Sequence, residues 1–374
     1  MKTTLKFTVL FMAMVIMSGC TPKEEHRSSL KSALNDNFHI GVAVNPYQTA
    51  EKDSVANVLI KKHFNSIVAE NCMKSALIQP KPGEFNFDNA DQFVEYGEKN
   101  DMFIVGHTLI WHSQSPRWFY IDDEGNDVSR EKLIQRMKDH ISTVVGRYKG
   151  RIDGWDVVNE AINDDGSWRE NKFYDIIGKD YVRLAFEFAR EADPGAELYY
   201  NDYNMQKEDK RKGVVKMVNQ LQEQGVKVDG IGMQGHYYLD YPSSEDIEES
   251  LLAYAALGSN VMITELDVSA LPNPWESTAE VSFDADYDDK LNPYKDGLPE
   301  EVSKQLNQRY LDLFNLFIKH SDKVSRVTLW GLSDAYSWKN NWPIRGRTDY
   351  PLLFDRDYQP KPAVDMIIEA AETK

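Results

Sequence analysis

The chain has 374 residues, of which 41% are hydrophobic and 28% charged, which suffices for one large barrel or for two ordinary domains. Its formal net charge is −17, and −19 without the first nineteen residues, which include Lys2 and Lys6. Such a surface repels polyanions, which argues against a nucleic-acid partner and against direct adsorption to acidic lipid. No Gly/Ser-rich or Pro-rich tract marks a linker, so we expect one folded domain.

The N-terminus is typical of an export signal. Two lysines precede an apolar run over residues 7–17, which is too short to span a bilayer comfortably. The following MSGC resembles the lipobox of bacterial lipoproteins, whose cysteine is acylated after cleavage. We therefore expect residues 1–19 to be a lipoprotein signal peptide, Cys20 to carry the lipid, and residues 20–34 to form a polar tether. A plain secretory signal with a nearby cleavage site is the alternative.

The lipid on Cys20 is the only membrane contact that we expect. It predicts a lipoprotein of the outer membrane or cell surface of a Gram-negative bacterium, with a periplasmic location as the alternative. Cys72 is then the only other cysteine, so no intramolecular disulfide is available. We expect a monomer.

From residue 39 onward, short β-rich runs alternate with longer segments of helical period, such as the one with Leu133, Met137 and Ile141 on one face. The eight predicted strands cover residues 39–45, 66–73, 102–112, 152–160, 196–204, 228–238, 260–269 and 324–334. Eight strand–helix units predict the α/β class and a single-domain (β/α)8 TIM barrel over residues 35–374. A long acidic segment at about 270–300 reads as an insertion. A doubly wound open sheet is the alternative fold.

Polar residues follow the apolar part of the predicted strands, at the end where barrel enzymes carry their chemistry. These residues are Glu70, Asn71, His107, Trp111, His112, Asn159, Glu160, Asn201, Asp202, Tyr203, Gln234, His236, Glu265, Asp267 and Trp330. Glu160 and Glu265 each follow an apolar strand directly, on strands four and seven. Two carboxyl groups that face each other across a cleft are the usual catalytic groups of glycoside hydrolysis.

The neighbours of the two glutamates predict different roles for them. Gln234 and His236 are two residues apart on one strand, so both side chains point to the same face, beside the strand that carries Glu265. A histidine bound to Glu265 helps to keep it ionised, and Glu160 is then the group whose raised pKa lets it give and retake a proton. The alternative is that both acids only form buried salt bridges.

A metal site is the weaker interpretation, and we expect no metal and no cofactor. His107 and His112 are five apart on a strand, so they point to opposite faces and cannot both bind one ion. The sequence has no Gly-rich phosphate loop. Trp111, Trp330 and Trp338 fall in or just after strand ends, where flat rings stack on sugars, although core packing explains each one alone.

Six segments carry a family resemblance. HTLIWHSQSPRW, WDVVNEAI, NDYN, GIGMQGHYY, VMITELDV and GRTDYPLLFDRDYQPKPA resemble blocks of glycoside hydrolase family 10, the endo-β-1,4-xylanases, in the same order over residues 35–372. The resemblance implies endo-acting hydrolysis of xylan and xylo-oligosaccharides with retention. It implies that Glu160 is the acid/base and Glu265 the nucleophile, with carboxyl groups about 5–5.5 Å apart.

The resemblance also implies positions that contact the sugar. Glu70, Asn71 and Lys74, with Gln114 close by, match contacts on the non-reducing side. His107, Asn159, Gln234, Trp330 and Trp338 match residues that enclose the sugar at the cleavage point, beside Trp111. His236 matches the partner of the nucleophile, and Tyr203 flanks the leaving side. The insertion at 270–300 departs from the compact family pattern.

Two other functions stay open. One is a glycan-capturing surface protein without catalysis, which the presence of both acids argues against. The other is an enzyme that prefers β-1,4-glucan, since the shape around Trp330 and Trp338 decides whether an extra hydroxymethyl group fits.

Overall fold

The computed structural model of the protein describes residues 29–273, 280 and 285–373. These residues contain nine β-strands, all of which pair in parallel. The strands are β1 (His39–Val44), β2 (Ser66–Ala69), β3 (Phe103–Trp111), β4 (Gly154–Asn159), β5 (Glu197–Asp202), β6 (Gly230–Met233), β7 (His236–Tyr238), β8 (Asn260–Ser269) and β9 (Val324–Leu329).

The strands close into a ring. β1 pairs with β2 and with β9, and each strand from β2 to β5 pairs with the next. β6 pairs with both β5 and β8, and β8 pairs with β9. The ring therefore has eight positions, which confirms the predicted (β/α)8 barrel in one domain and excludes the open sheet.

The sixth predicted strand, 228–238, is two short strands in the structure. Gly235 interrupts it with φ of +83°, a left-handed conformation that breaks the pleat and that glycine adopts without steric cost. A Cβ at this position would also lie 2.8 Å from Cγ2 of Ile263. The backbone N–H of Glu265 donates to the Gln234 carbonyl at 2.7 Å, so β8 stays attached across the break.

Helices lie between the strands. They are α1 (Leu30–Ala33), α2 (Pro46–Thr49), α3 (Ser54–His63), α4 (Ser75–Ile78), α5 (Asp88–Lys99), α6 (Arg130–Arg147), α7 (Lys172–Ile177), α8 (Asp180–Ala192), α9 (Glu208–Glu223), α10 (Ser244–Ala255), α11 (Glu300–Lys319) and α12 (Pro362–Glu372). Short 3₁₀ helices cover Arg117–Phe119, Asp289–Leu291, Asp334–Tyr336 and Trp338–Asn340.

The core has two parts. The larger lies between the strands and the surrounding helices, and it includes Leu133, Met137 and Ile141 of α6, as the helical period predicts. Burial of each such side chain stabilises the fold by about 1.5–3 kcal/mol. The smaller part consists of Ala43, Val68, Val105, Tyr199 and Met262, each from a different strand, and Trp330, which directly follows β9. It forms the packed interior that a barrel of this size requires.

The folded part begins before residue 35, where the sequence places the end of the tether. Ser29 caps α1, and Leu30 and Leu34 are fully buried in the larger core. Residues 29–34 therefore belong to the folded barrel domain rather than to the tether. Cys20 and the predicted signal peptide lie outside the described residues.

The long connection between β8 and α11 corresponds to the predicted insertion at 270–300. Its described C-terminal part packs against the segment after β9: the backbone N–H of Thr348 donates to Asn292 Oδ1 at 2.9 Å, and the Tyr350 hydroxyl donates to the Tyr294 carbonyl at 2.7 Å. These contacts place this described part of the insertion beside the carboxyl end of β9.

Candidate active site

A cavity of about 340 Å³ opens at the carboxyl ends of the barrel strands. It is lined by Glu70, Asn71, Lys74, His107, Trp111, Gln114, Asn159, Glu160, Gln234, His236, Glu265, Trp330, Trp338, Asn341 and Trp342. Both predicted catalytic glutamates are present, together with every predicted sugar-contacting residue except Tyr203. Residues from distant parts of the chain therefore converge on one site.

Glu160 follows β4 and is 4% exposed. Its Oε2 accepts from the Trp111 indole at 2.8 Å, and its Oε1 accepts from the side-chain amides of Gln234 at 3.0 Å and Asn159 at 3.1 Å. Its backbone has φ of +61°, which is disfavoured for a residue with a Cβ. Such a conformation persists where surrounding contacts fix it, which is common at active sites.

Burial, and then the nearby charge of Asp202, raise the pKa of Glu160 to about 7. The donated hydrogen bonds from Gln234 and Trp111 act in the opposite direction but do not cancel these effects. Near neutral pH, a substantial fraction of Glu160 is therefore protonated and able to act as a general acid.

Glu265 lies within β8 and is 5% exposed. Burial by itself disfavours its ionisation, but a hydrogen bond from His236, the charge of His107 and a hydrogen bond from Asn201 together hold its pKa below the usual value. His236 Nε2 lies 3.3 Å from Glu265 Oε2, and Asn201 Nδ2 donates to Glu265 Oε1 at 2.8 Å. Glu265 is thus kept as a carboxylate.

His236 is held between two carboxylates. Its Nδ1 lies 3.0 Å from Asp267 Oδ2, on the side opposite Glu265. Burial disfavours the charged ring, but Asp267 and Glu265 outweigh burial and raise the pKa of His236 to about 9. Asp267 also accepts from the Trp338 indole at 2.8 Å and has Lys339 Nζ 3.4 Å away. The imidazolium is therefore an oriented cation beside Glu265.

Another group of polar side chains occupies the cavity wall formed by β2 and β3. Lys74 Nζ donates to Asn71 Oδ1 at 2.8 Å and lies 5.2 Å from the centre of the Trp111 ring. Burial raises the pKa of Glu70 and lowers that of Lys74. His107 Nδ1 lies 2.9 Å from Asp156 Oδ2, which fixes the ring. This wall supplies hydrogen-bond donors and acceptors suited to sugar hydroxyls.

Tyr203 lies outside the lining of the cavity. Its hydroxyl donates to Glu280 Oε2 at 3.0 Å and accepts from Arg169 Nη2 at 2.5 Å. Arg169 Nε in turn donates to the backbone carbonyl of Glu160 at 3.1 Å. Tyr203 is therefore next to the catalytic acid through Arg169, beyond the residues that line the cavity.

The sequence did not single out several residues of the site. The sequence identifies Asn201 only as a polar residue at a strand end, and its contact with Glu265 depends on the register of β6 with both β5 and β8. Trp342 and Asn341 come shortly after Trp338, so their nearness in sequence was a usable signal. Arg169 and Glu280 lie on loops, and no periodicity points to them.

Among the described residues, no group of three or more His, Cys, Asp or Glu side chains has an arrangement able to hold a metal ion. His107 lines the cavity and His112 does not, as their spacing predicts. Within the same part of the chain, no helix has the length and apolar character needed to cross a membrane.

The chain is similar to known proteins over most of its length. Endo-1,4-beta-xylanase A of Xylanibacter ruminicola is 47% identical over 349 residues, which cover 93% of this chain and 95% of that protein. Beta-1,4-xylanase of Dictyoglomus thermophilum is 38% identical over 372 residues, which cover 97% of this chain and 99% of that protein.

The fold has solved counterparts. The structure of a GH10 endoxylanase retrieved from a sugarcane soil metagenome has a TM-score of 0.88 and 46% sequence identity, with 91% of this chain and 99% of that chain covered. The profile of glycosyl hydrolase family 10 matches residues 29–370. The chain therefore belongs to glycosyl hydrolase family 10 and is a glycoside hydrolase.

Proposed function

We propose that the protein is an endo-1,4-β-xylanase that hydrolyses β-1,4-xylosidic bonds in xylan and xylo-oligosaccharides with retention of configuration. The observation that carries the proposal is the pair of carboxyl groups in one cavity whose pKa values are shifted in opposite directions, upward for Glu160 and downward for Glu265. Relatives that match nearly the whole chain are named endo-1,4-β-xylanases, which supports the choice of substrate.

The first step forms a covalent glycosyl-enzyme. A carboxylate oxygen of Glu265 bonds to the anomeric carbon while the bond from that carbon to the leaving oxygen breaks. Glu160 transfers its proton to the leaving oxygen, so the departing sugar leaves as a neutral alcohol. The Asn201 and His236 donors orient the attacking carboxylate.

The second step releases the sugar. Glu160, now a carboxylate, takes a proton from a water molecule whose oxygen bonds to the anomeric carbon, and the ester bond to Glu265 breaks. Both carboxyl groups return to their starting protonation states. Each step inverts the anomeric carbon, so the product keeps the configuration of the substrate.

The remaining residues of the cavity hold the sugar. Glu70, Asn71, Lys74 and Gln114 contact the unit on the non-reducing side, and His107, Asn159, Gln234, Trp330 and Trp338 enclose the unit at the cleavage point. Their common cavity and their mixture of amides, charged groups and indole rings support this division. The chemistry requires no cofactor, because the two carboxyl groups supply both the nucleophile and the proton.

The test is the variant Glu265→Gln, which keeps the size of the side chain and removes the nucleophile. We expect its turnover of xylan, measured as new reducing ends, to fall by about 10³-fold or more while binding of xylo-oligosaccharides is retained. Glu369→Gln, the same substitution on an exposed position of α12, serves as the matched control. Hydrolysis by Glu265→Gln at the wild-type rate would show that another group is the nucleophile.

Wild-type products separate the remaining alternatives. Proton NMR during hydrolysis of an aryl β-xylobioside should show the β-anomer of xylobiose first, and an α-anomer would exclude retention. Tight binding of xylan without new reducing ends would instead identify a capture protein.

We further propose that the protein is a monomeric lipoprotein anchored through Cys20 at the outer membrane or cell surface of a Gram-negative bacterium. The support is the signal-like sequence before Cys20. Labelling with a radioactive fatty acid should mark the wild type but not Cys20→Ser, and only the wild type should sediment with membranes. Digestion by protease added to whole cells would show outward exposure, and protection would show a periplasmic location.

A further inference from the structure

A third buried carboxylate reaches the edge of the active site from the insertion at 270–300. Glu280 is 5% exposed, and its Oε2 lies 2.8 Å from Arg169 Nη1 and 3.0 Å from the Tyr203 hydroxyl. It does not line the cavity that contains Glu160 and Glu265. Its partners come from the loop after β4 and from the end of β5, so Glu280 joins three separate segments.

Arg169 connects Glu280 to the catalytic acid. Its Nε donates to the Glu160 carbonyl at 3.1 Å, its Nη2 donates to the Tyr203 hydroxyl, and its guanidinium centre lies 5.6 Å from the centre of the Tyr203 ring. A guanidinium directs its donors in a rigid plane, so fixing one end of the group fixes the others. Glu280 therefore restrains the backbone of Glu160 as well as the Tyr203 hydroxyl.

The position of this cluster relative to the substrate follows from the cavity. Glu70, Asn71 and Lys74 lie in the cavity with both catalytic acids, whereas Tyr203 and Glu280 lie outside that lining. Arg169 joins both of them to the backbone carbonyl of Glu160. Under the proposed function, Glu70, Asn71 and Lys74 contact the sugar on the non-reducing side and Glu160 protonates the leaving oxygen, so the leaving sugar extends past Glu160. The cluster is therefore on the side from which the leaving group departs.

We propose that Glu280 is a positioning residue for the leaving-group side of the cleft, where it holds Arg169 and the Tyr203 hydroxyl in place beside Glu160. This inference rests on the proposed glycosidase function. The ion pair is almost buried, with side-chain exposures of 15% for Arg169 and 6% for Glu280. Removing the charge of Glu280 alone takes from Arg169 its ion-pair partner and leaves a cation next to the catalytic acid.

The charge of Glu280 also acts on the proton of Glu160. Burial and Asp202 are the main reasons for the raised pKa of Glu160, and Glu280 adds to them. The other charged or titratable groups that act on Glu160 or share its cavity include Glu70, Lys74, His107, Arg169, Asp202, Tyr203, His236 and Glu265. Loss of the Glu280 anion favours ionisation of Glu160, so the pKa of Glu160 falls.

The experiment compares wild type with Glu280→Gln on two substrates. The leaving group of xylohexaose is a sugar that binds on the leaving-group side of the cleft and needs a proton from Glu160. The leaving group of 2,4-dinitrophenyl β-xylobioside is not a sugar and departs without protonation. We expect kcat/KM of Glu280→Gln to fall about 10-fold on xylohexaose and to stay within about two-fold on the aryl substrate. The basic limb of the xylohexaose pH profile should move down by about half a unit.

Two further variants keep the test decisive. Asp289→Asn removes one acidic charge from the same insertion, where Asp289 pairs with Lys295, and it should behave as wild type on both substrates. Tyr203→Phe removes the hydroxyl that Glu280 binds and should show the same selective loss on xylohexaose, even if Glu280→Gln folds poorly. Equal losses on both substrates, or no loss on either, would overturn the positioning role. A wild type inactive on both substrates would instead refute the proposed function.

Discussion

Asn201 and Glu265 form a direct hydrogen bond in which Asn201 Nδ2 donates to Glu265 Oε1 over 2.8 Å. The same nitrogen lies 3.0 Å from Asn159 Oδ1, and Asn201 Oδ1 accepts from the Thr264 hydroxyl at 2.6 Å. Because the oxygen of the amide is engaged by Thr264, its nitrogen must point toward Glu265 and Asn159. Asn201 thus orients the proposed nucleophile without adding a charge.

The variant Asn201→Asp tests this orientation. It replaces the donor by a carboxylate of the same size, and a like charge raises the pKa of Glu265. Since Glu265 acts in its ionised form, the acidic limb of kcat/KM should move up by about one pH unit, with a loss that approaches about 10-fold at pH values well below that limb. The pH dependence of kcat/KM on an aryl β-xylobioside measures this shift.

Asn100→Asp is the matched control for that substitution. Asn100 follows α5, where its side chain donates to the Tyr96 carbonyl at 2.7 Å, and it is not part of the cavity lining. The acidic limb of kcat/KM for Asn100→Asp should coincide with that of the wild type. An unchanged limb in Asn201→Asp would mean that Asn201 does not influence the ionisation of Glu265.

Trp111→Phe should shift the opposite limb of the profile. The Trp111 indole donates to Glu160 Oε2 at 2.8 Å and so stabilises the ionised form of that carboxyl. Without this donor the pKa of Glu160 rises above its value of about 7, and the acid form persists to higher pH. The basic limb of kcat/KM on xylohexaose should therefore move up by about half a unit.

Trp118→Phe removes an indole donor elsewhere and controls for the loss of a tryptophan. The Trp118 indole donates to the Gln79 carbonyl at 3.1 Å, away from both acids. The basic limb of kcat/KM for Trp118→Phe on xylohexaose should match that of the wild type. A downward shift in Trp111→Phe would contradict the hydrogen bond as the cause.

His236 predicts how stability depends on pH. Its pKa is about 9 in the folded protein, above the value of 6.5 expected when unfolded, so the folded state binds the proton more tightly. The stabilisation is fully present below pH 6.5 and is lost as the pH rises through 9. The difference in free energy of unfolding between wild type and His236→Gln should therefore shrink across that window, as denaturant titrations can measure.

His63 supplies a control of the opposite sign. Burial, followed by the charges of Lys62 and Lys31, lowers the pKa of His63 to about 4, so its effect on stability is lost as the pH falls below 6.5. The difference in free energy of unfolding between wild type and His63→Gln should therefore not change from pH 6.5 to 9. If the His236→Gln difference is equally flat there, His236 is not held as a cation between its two carboxylates.

Much of the fold was predictable because each strand is buried on both faces and reads as an apolar run. Glu160 and Glu265 stood out because a carboxylate directly after such a run needs a reason to be there. The break at Gly235 was not predicted, since the apolar pattern continues across it. Yet it leaves both Gln234 and His236 on the cavity side, as a continuous strand also would.

The rest of the site depends on contacts that a sequence pattern does not encode. Gln234 lies beside the strand that carries Glu265, as predicted, but the sequence does not reveal that its side chain donates to Glu160 while its carbonyl accepts from the Glu265 backbone. Arg169 and Glu280 are on irregular loops, so their pairing follows from loop conformation rather than from periodicity. Tyr203 belongs to that pair and not to the cavity for the same reason.

Trp342 is predicted to govern the choice between xylose and glucose units. It lines the cavity, and its ring centre lies 5.0 Å from that of Trp338, at an angle of 33° between the planes. We expect the extra hydroxymethyl group of a glucose unit to lie against this wall and to need space there. Trp342→Ala should therefore raise the ratio of kcat/KM for aryl cellobioside over aryl xylobioside by about 10-fold or more.

Tyr336→Ala provides the comparison for that ratio. Tyr336 lies in the same segment after β9 but is 61% exposed and outside the cavity lining, so its removal opens no space for the sugar. The ratio is informative because a general loss of activity cancels between the two substrates. If Trp342→Ala leaves the ratio unchanged, the hydroxymethyl group is excluded by another part of the wall, and Trp330→Ala is the next variant to compare.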